Sequence, residues 1–266
     1  MSVEISTREV FGAPCWVNLT ARDLQAAQQF YGAVLGWQFR PGRLGESSTI
    51  AELDGVPVAG IGEPAGDLAM AAWTVHFAVA DANVAVGRIR ERSGTVAVGP
   101  VSFASGGRGA LAADREGASF GIWEGPVRSD WRVGAGHAPA WLELRTRDAF
   151  EAAIFYGGVL EWATGREGGC EVSYEEDQVV LRQSGEPVAR LNSGPVDAAA
   201  SAPQARPRWH VHFRVPDLDA ATDASTAFGG RTLSPVESNA TERWVTLQDA
   251  EGALFTLNAA HPPTPR

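Results

Sequence analysis

Cysteine, positive charge and long apolar runs are all scarce in this chain, and each shortage removes a class of protein. The two cysteines, Cys15 and Cys170, are too few for a disulfide scaffold and lack the CxxC spacing of a zinc site. Cys15, beside the strand-opening Trp16, reads as a small packed thiol rather than a nucleophile. No apolar run approaches the roughly 20 residues of a membrane helix, and Met1 to Val10 lacks the basic start and apolar stretch of a signal peptide. A cytoplasmic location without membrane contact is therefore expected. With 22 basic against 32 acidic residues the formal net charge is -10, which argues against nucleic acid, because binding it requires concentrated basic side chains. No G-x-S-x-G elbow or HExxH pair is present. The glycine-rich run Ser105 to Gly109 precedes a strand, not a phosphate-cradling helix start, and reads as a loop over a binding mouth.

What is present is repetition. The composition, 44% hydrophobic and 20% charged, is that of a globular protein, and 266 residues suggest two domains. The phrase WVNLTARDLQAAQQFYGAVLGW (Trp16 to Trp37) returns as WLELRTRDAFEAAIFYGGVLEW (Trp141 to Trp162). Repetition of this length marks one supersecondary unit used more than once.

The chain then resolves into four modules. Cys15 to Thr20 alternates as a strand, Asp23 opens a helix with Phe30, Tyr31, Val34 and Leu35 on one face, and Gly36 stops it. Ser48 to Leu53, Asp54-Gly55 and Val56 to Ile61 read as a hairpin. Module two opens with WTVHFAVAD (Trp73 to Asp81), a helix ending near Gly94 and strands around Thr95 to Val101, Arg108 to Ala113 and Ser119 to Glu124. Module four matches it with WHVHFRVPD (Trp209 to Asp217), a helix ending near Gly229 and strands around Arg231 to Val236, Trp244 to Gln248 and Leu254 to Asn258. DREGASF (Asp114 to Phe120) answers DAEGALF (Asp249 to Phe255), and PVAGI (Pro57 to Ile61) answers PVARL (Pro187 to Leu191) in module three. Gly125 to Pro139, with His137 on its surface, and Gly194 to Pro207 read as linkers. The expected class is α+β, with four βαβββ modules; residues 1–126 form a first domain, 127–139 a linker and 140–266 a second domain. Sequence leaves open whether module one pairs with module two or four.

A strand, an Asp, a helix containing FYxxVLGW and strands ending in D-x-x-G, all repeated, resemble the vicinal oxygen chelate superfamily of glyoxalases, bleomycin-resistance proteins and extradiol dioxygenases. PCWVNL, FYGAVLGW, PVAGI and WHVHF are most similar to the tandem two-domain actinobacterial glyoxalase-like proteins. The resemblance implies half-open, cup-shaped mixed sheets. It also implies a metal ligand seven residues before each helix-opening Asp, where this chain has Trp16, Thr74, Trp141 and His210. A family glutamate belongs seven residues after the Asp of D-x-x-G, where Gly121 and Thr256 stand. One histidine cannot supply the three or four donors a divalent ion wants, so no metal and no cofactor are expected.

Residues two apart share a strand face, so the cup walls are expected to carry Trp16, Asn18, Thr20, Thr74, His76, Trp141, Glu143, Arg145, His210, His212 and Arg214, with Trp123 on the last strand of module two. Aromatic area with a few polar groups suits a small, partly apolar aromatic ligand. Trp16, Asn18, His76, Trp123, Trp141 and His210 are the expected ligand contacts, and Glu143 with His212 the acid–base pair if a reaction occurs. A divalent site from His210, His212 and Glu143 is the minority alternative, and an assembly role the third. The partner is a small molecule, the oligomer a monomer or homodimer, and the helix-face charges Arg88, Arg90, Glu91 and Arg92 solvated surface.

Overall fold

The computed structural model describes residues 10–42, 45–64, 70–103, 106–175 and 178–261. Module one supplies β1 (Pro14–Thr20), α1 (Leu24–Leu35), β2 (Gln38–Gly42), β3 (Gly45–Leu53) and β4 (Val56–Gly62). Module two supplies β5 (Ala72–Ala78), α2 (Ala82–Glu91), β6 (Thr95–Phe103), β7 (Gly107–Ala113) and β8 (Ser119–Glu124). Module three consists of β9 (Trp141–Thr146), α3 (Ala149–Leu160), β10 (Cys170–Glu175), β11 (Gln178–Gln183) and β12 (Glu186–Ser193). Module four consists of β13 (Arg208–Arg214), α4 (Leu218–Ala227), β14 (Arg231–Thr232), β15 (Glu237–Ser238), β16 (Glu242–Gln248) and β17 (Leu254–Ala260). The architecture is α+β, as the repeats predict.

Local chemistry explains these boundaries. Asp23, Asp81, Asp148 and Asp217 each cap a helix, their carboxylates accepting backbone N–H groups of the first turn. Asp54 (φ 52°) and Gly55 (φ 76°) make the first hairpin turn, and Ser184 (φ 53°) and Gly185 (φ 81°) its repeat. Two expectations need correction. The run read as a loop at 105–109 is strand from Gly107 onward, with Ser105 outside the described residues. Of the strand expected over Arg231 to Val236 only Arg231–Thr232 (β14) forms, and β15 follows it after Pro235, which has no N–H for a ladder.

Strand order in the first sheet is β2-β3-β4-β1-β5-β8-β7-β6, and in the second β10-β11-β12-β9-β13-β17-β16-β14, with β15 also on β16. Module one therefore shares its sheet with module two, and three with four. Both sheets are mixed, with parallel pairs such as β1–β4 and β13–β17 beside antiparallel hairpins. Neither closes into a barrel.

Packing groups the modules differently. The chain falls into two compact units: unit one runs through Val17 and includes Thr74–Gly136 and Trp141–Trp209; unit two comprises Asn18–Trp73, His137–Ala140 and His210–Arg266. In unit one α2 packs on α3, and Phe77, Phe120, Phe155, Tyr156, Trp162 and Trp209 form one ring cluster with centroid spacings from 5.1 to 6.3 Å. In unit two α1 packs on α4, around Phe30, Tyr31, Trp37, Trp73, Phe213 and Phe255. These are the same six positions of the repeats, so four of the nine Trp belong to these two ring clusters.

The repeated letters meet there. In unit one Trp209 Nε1 donates to the Tyr156 hydroxyl (2.9 Å), which donates to Asp114 (3.0 Å). Asp114 also accepts the N–H groups of Glu116 and Ala118. Glu116, the third residue of DREG, accepts from Arg147 Nε (3.1 Å) and Nη2 (2.8 and 2.9 Å). Unit two repeats this with Trp73, Tyr31 and Asp249, and Glu251 accepts the N–H groups of Arg22 and Asp23. FY, RD and D-x-E-G are thus complementary parts of one scaffold joint.

Burial pushes Asp114 and Asp249 above the ordinary carboxylate value of 3.8, partly offset by their hydrogen bonds. A carboxylate raised in the folded state contributes stability that is fully present below the unfolded value and is lost as pH rises through the folded one. Raising pH from about 4 to about 7 is therefore expected to cost stability at both sites. Urea midpoints across that window should show a flatter profile in Asp114→Asn than in the parent; parallel profiles would contradict this assignment.

Candidate binding site

Three transverse rows of residues on the inner face of module two, all in unit one, define the site. His76, Gly121, Leu111 and Val98 lie in register across β5, β8, β7 and β6. Ala78, Trp123, Gly109 and Val101 form the second row, and Gly107 with Phe103 the third. The intervening residues Phe77, Ala110, Ala112, Phe120 and Ile122 are buried in the opposite face. Val98, Val101 and Leu111 are 49%, 44% and 40% exposed, an apolar surface that strand alternation alone would have placed in the core.

Glycine makes this face what it is. A Cβ on Gly107 would collide with the Trp123 ring and one on Gly121 with the His76 imidazole, while one on Gly109 would come within 3.2 Å of the Phe103 ring and 3.5 Å of the Trp123 ring. The rings therefore lie against bare backbone. Trp123 is fixed on one edge by Cys15, Ala78 and Val127, donates from Nε1 to the Pro126 carbonyl (3.1 Å), and sits 5.5 Å from Phe103 at 45°. Burial lowers His76 from 6.5 to about 4, so it is a neutral hydrogen-bonding group at neutral pH. The same burial pushes Cys15 up to about 12, leaving it a packed thiol. Trp16 packs at 5.7 Å and 45° against Trp131, which is buried within the segment read from sequence as a linker.

Module three presents a different inner face, also in unit one. Leu142 and Leu144 point to the core, leaving Trp141, Glu143 and Arg145 opposite. Glu143, only 8% exposed, accepts from Asn192 Nδ2 (2.8 Å) and pairs with Arg145 (3.2 Å). The Arg190 guanidinium lies 4.6 Å over Trp141. Burial, with Arg145 nearby, lowers Arg208 from 12.5 to about 10, and Glu143 partly restores it.

Module four carries the two histidines in unit two. His210 is completely buried and shares a hydrogen bond between Nε2 and the Thr256 hydroxyl (2.8 Å), which in turn contacts the Thr246 hydroxyl (3.1 Å). His212 Nδ1 bonds Asn258 Oδ1 (3.1 Å), and the His210 and His212 rings stand 5.3 Å apart at 82°. The two family ligand positions of this module thus hold an imidazole and a hydroxyl bonded to each other. A neutral hydroxyl replaces the anionic donor, and in module two Gly121 supplies no side chain. Among the described residues no three His, Cys, Asp or Glu side chains cluster as a metal would need. These residues do not fit the divalent ion that the fold implies.

Of the expected contacts, His76 and Trp123 share one face of unit one, as do Trp141 and Glu143. His210 and His212 share another in unit two, where Asn18 lies opposite Gly60 on β4. Glu143 and His212 fall in different units and are each held by the partners named above. Sequence reasoning missed Val98, Val101, Phe103 and Leu111, because the glycine run hid the register of β7. It also missed Asn192 and Arg190, whose only signal is their placement opposite the first strand of the module. Arg88 is not simply solvated surface, since it is part-buried against Glu161.

Comparison with known proteins gives the family and the fold. The glyoxalase-like domain family matches residues 141–258, and the bleomycin resistance protein-like N-terminal family residues 15–46. The chain is 30% identical over 276 residues, 94% of each chain, to the anthracycline biosynthesis protein DauV of Streptomyces sp. strain C5. It is 28% identical over 261 residues to CFP32 of Mycobacterium tuberculosis, provisionally named a glyoxylase, covering 92% of this chain and 94% of that one. The fold is shared with the Mn(II)-bound glyoxalase of Novosphingobium aromaticivorans (14% identity, TM-score 0.57, 94% and 82% covered). It is shared also with homoprotocatechuate 2,3-dioxygenase of Brevibacterium fuscum (14% identity, TM-score 0.56, 98% and 87% covered). No helix among the described residues is long and apolar enough to cross a membrane. Four βαβββ modules, two mixed sheets and these relatives together place the chain in the vicinal oxygen chelate superfamily.

Proposed function

We propose that this protein binds a small, flat, partly apolar aromatic molecule against the inner face of module two, without a metal, for pathway use, sequestration or self-resistance. The observation that carries this reading is the exposed apolar face with its glycine floor: Trp123 and Phe103 offer ring surface, Val98, Val101 and Leu111 offer area, and neutral His76 orients one polar group. The relative named for anthracycline biosynthesis supports it, since an anthracycline is a fused aromatic ring system.

Titration with hydroxynaphthalenes and hydroxyanthraquinones is expected to quench tryptophan fluorescence saturably, unchanged by EDTA and flat between about pH 5 and pH 8 as far as His76 is concerned. Absence of quenching across the panel, or its loss in EDTA, would count against the proposal. A second reading, acid–base catalysis by Glu143, is favoured by one observation: Glu143 is a buried carboxylate held by an amide and a guanidinium. Any ligand of the panel that turns over should then cease to do so in Glu143→Gln, and undiminished turnover would remove this reading.

A further inference from the structure

A pocket of about 240 Å³ lies in unit one away from the inner strand faces, where the segment before β1, the turn from β5 into α2 and the end of α3 meet. Its walls are apolar, with Val79, Val84, Val159 and Leu160. Its rim is charged. Arg88 binds Glu161 at 3.1 to 3.2 Å; Arg166 stands 4.0 Å from Glu161, beyond hydrogen-bond reach, with its guanidinium 3.5 Å over the Phe11 ring. The carboxylate of Asp81 is taken by the first-turn N–H groups of α2. The formal charges of the rim balance, Arg88 and Arg166 against Asp81 and Glu161, but Asp81 is turned to the α2 N–H groups and Arg88 holds Glu161, so among the described residues Arg166 has no carboxylate within hydrogen-bond distance.

The internal duplication supplies the comparison. Glu161 sits at φ 61°, where the first copy of the phrase has Gly36 at φ 71°, so a left-handed position that favours glycine carries a charged side chain. Arg88 corresponds to Ala224, and Arg166 lies in a stretch between Trp162 and β10 that has no counterpart in module one, where β2 begins directly after Trp37. The scaffold joint needs none of the three charges, because the other copy folds without them. All 22 basic residues of the chain are arginine, the side chain whose planar fork matches a carboxylate.

We propose that this pocket is a second binding site, taking a small monocarboxylate with an apolar body: the carboxylate meets Arg166 and Arg88, and the body lies on Val84, Val159 and Leu160. Its volume is below the roughly 300–1,000 Å³ of sites for drug-sized ligands, so the ligand is correspondingly small. The site is independent of the aromatic face of module two.

Three probes of one shape, phenylacetate, 2-phenylethanol and phenethylamine, followed by amide NMR of the whole protein, test this. Phenylacetate is expected to shift the amides of Gly12, Val79, Ala80 and Leu160 saturably, the alcohol to bind about ten-fold more weakly or worse, and the amine not to bind. Arg166→Gln, at a side chain 44% exposed, should weaken phenylacetate by about ten-fold with the fold intact. Glu161→Gly removes the competing carboxylate and should tighten it. Trp123→Ala should leave it unchanged, which separates this site from the aromatic one. No saturable shift with phenylacetate, equal affinity for the alcohol, or full affinity in Arg166→Gln would overturn the proposal.

Discussion

Asp114→Ala is expected to destabilise the protein by roughly 3 kcal/mol, since each orphaned buried polar group costs about 1–3 kcal/mol. The carboxylate accepts the Tyr156 hydroxyl and the N–H groups of Glu116 and Ala118, and it is 4% exposed. Alanine leaves all three donors without it. At roughly 2–4 °C per kcal/mol for a chain of this size, the melting temperature should fall by about 6–12 °C. Glu116→Ala is the control: its partner Arg147 has a side chain 70% exposed, and surface pairs contribute at most about 1 kcal/mol. A loss below 1 kcal/mol in Asp114→Ala would show that the scaffold joint does not depend on the carboxylate.

Trp123→Ala is expected to weaken binding of the best hydroxyaromatic ligand by about 2–3 kcal/mol, roughly 30- to 150-fold, the magnitude of a central aromatic anchor. The ring is held by Cys15, Ala78, Val127 and the Pro126 carbonyl before any ligand arrives, so little side-chain entropy is lost on binding. It packs on the buried Cys15, Ala78 and Val127 and also covers the Gly107 backbone, so truncation is expected to lower folding stability as well as calorimetric affinity. Affinity within about three-fold of the parent would mean that the ligand sits elsewhere.

Where the repeats agree, they describe scaffold; where they differ, they describe sites. Asp81 and Asp217 are interchangeable caps, whereas Gly121 against Thr256, and Glu161 against Gly36, separate the chemistry of the two units. Motif counting therefore leads to Tyr156 and Asp114 before it leads to Trp123. The acidic joint partners Glu116 and Glu251 carry no local signal of what they hold, because their partners are 31 and 229 residues away in the chain.

By itself the sequence determined the four modules, their helix caps and left-handed turns, the core parity of each first strand and the loss of anionic donors at the family's ligand positions. All of these depend on residues within about one turn or one strand of each other, where spacing dictates geometry. Only the tertiary structure decided that sheets join modules one with two and three with four, while helices and aromatic cores join one with four and two with three. It alone showed which apolar side chains stay in the open on β6 and β7, and that Arg88 and Glu161 meet. Those outcomes depend on packing between segments far apart in the chain, and no local periodicity records which distant face will cover a given strand or leave it bare.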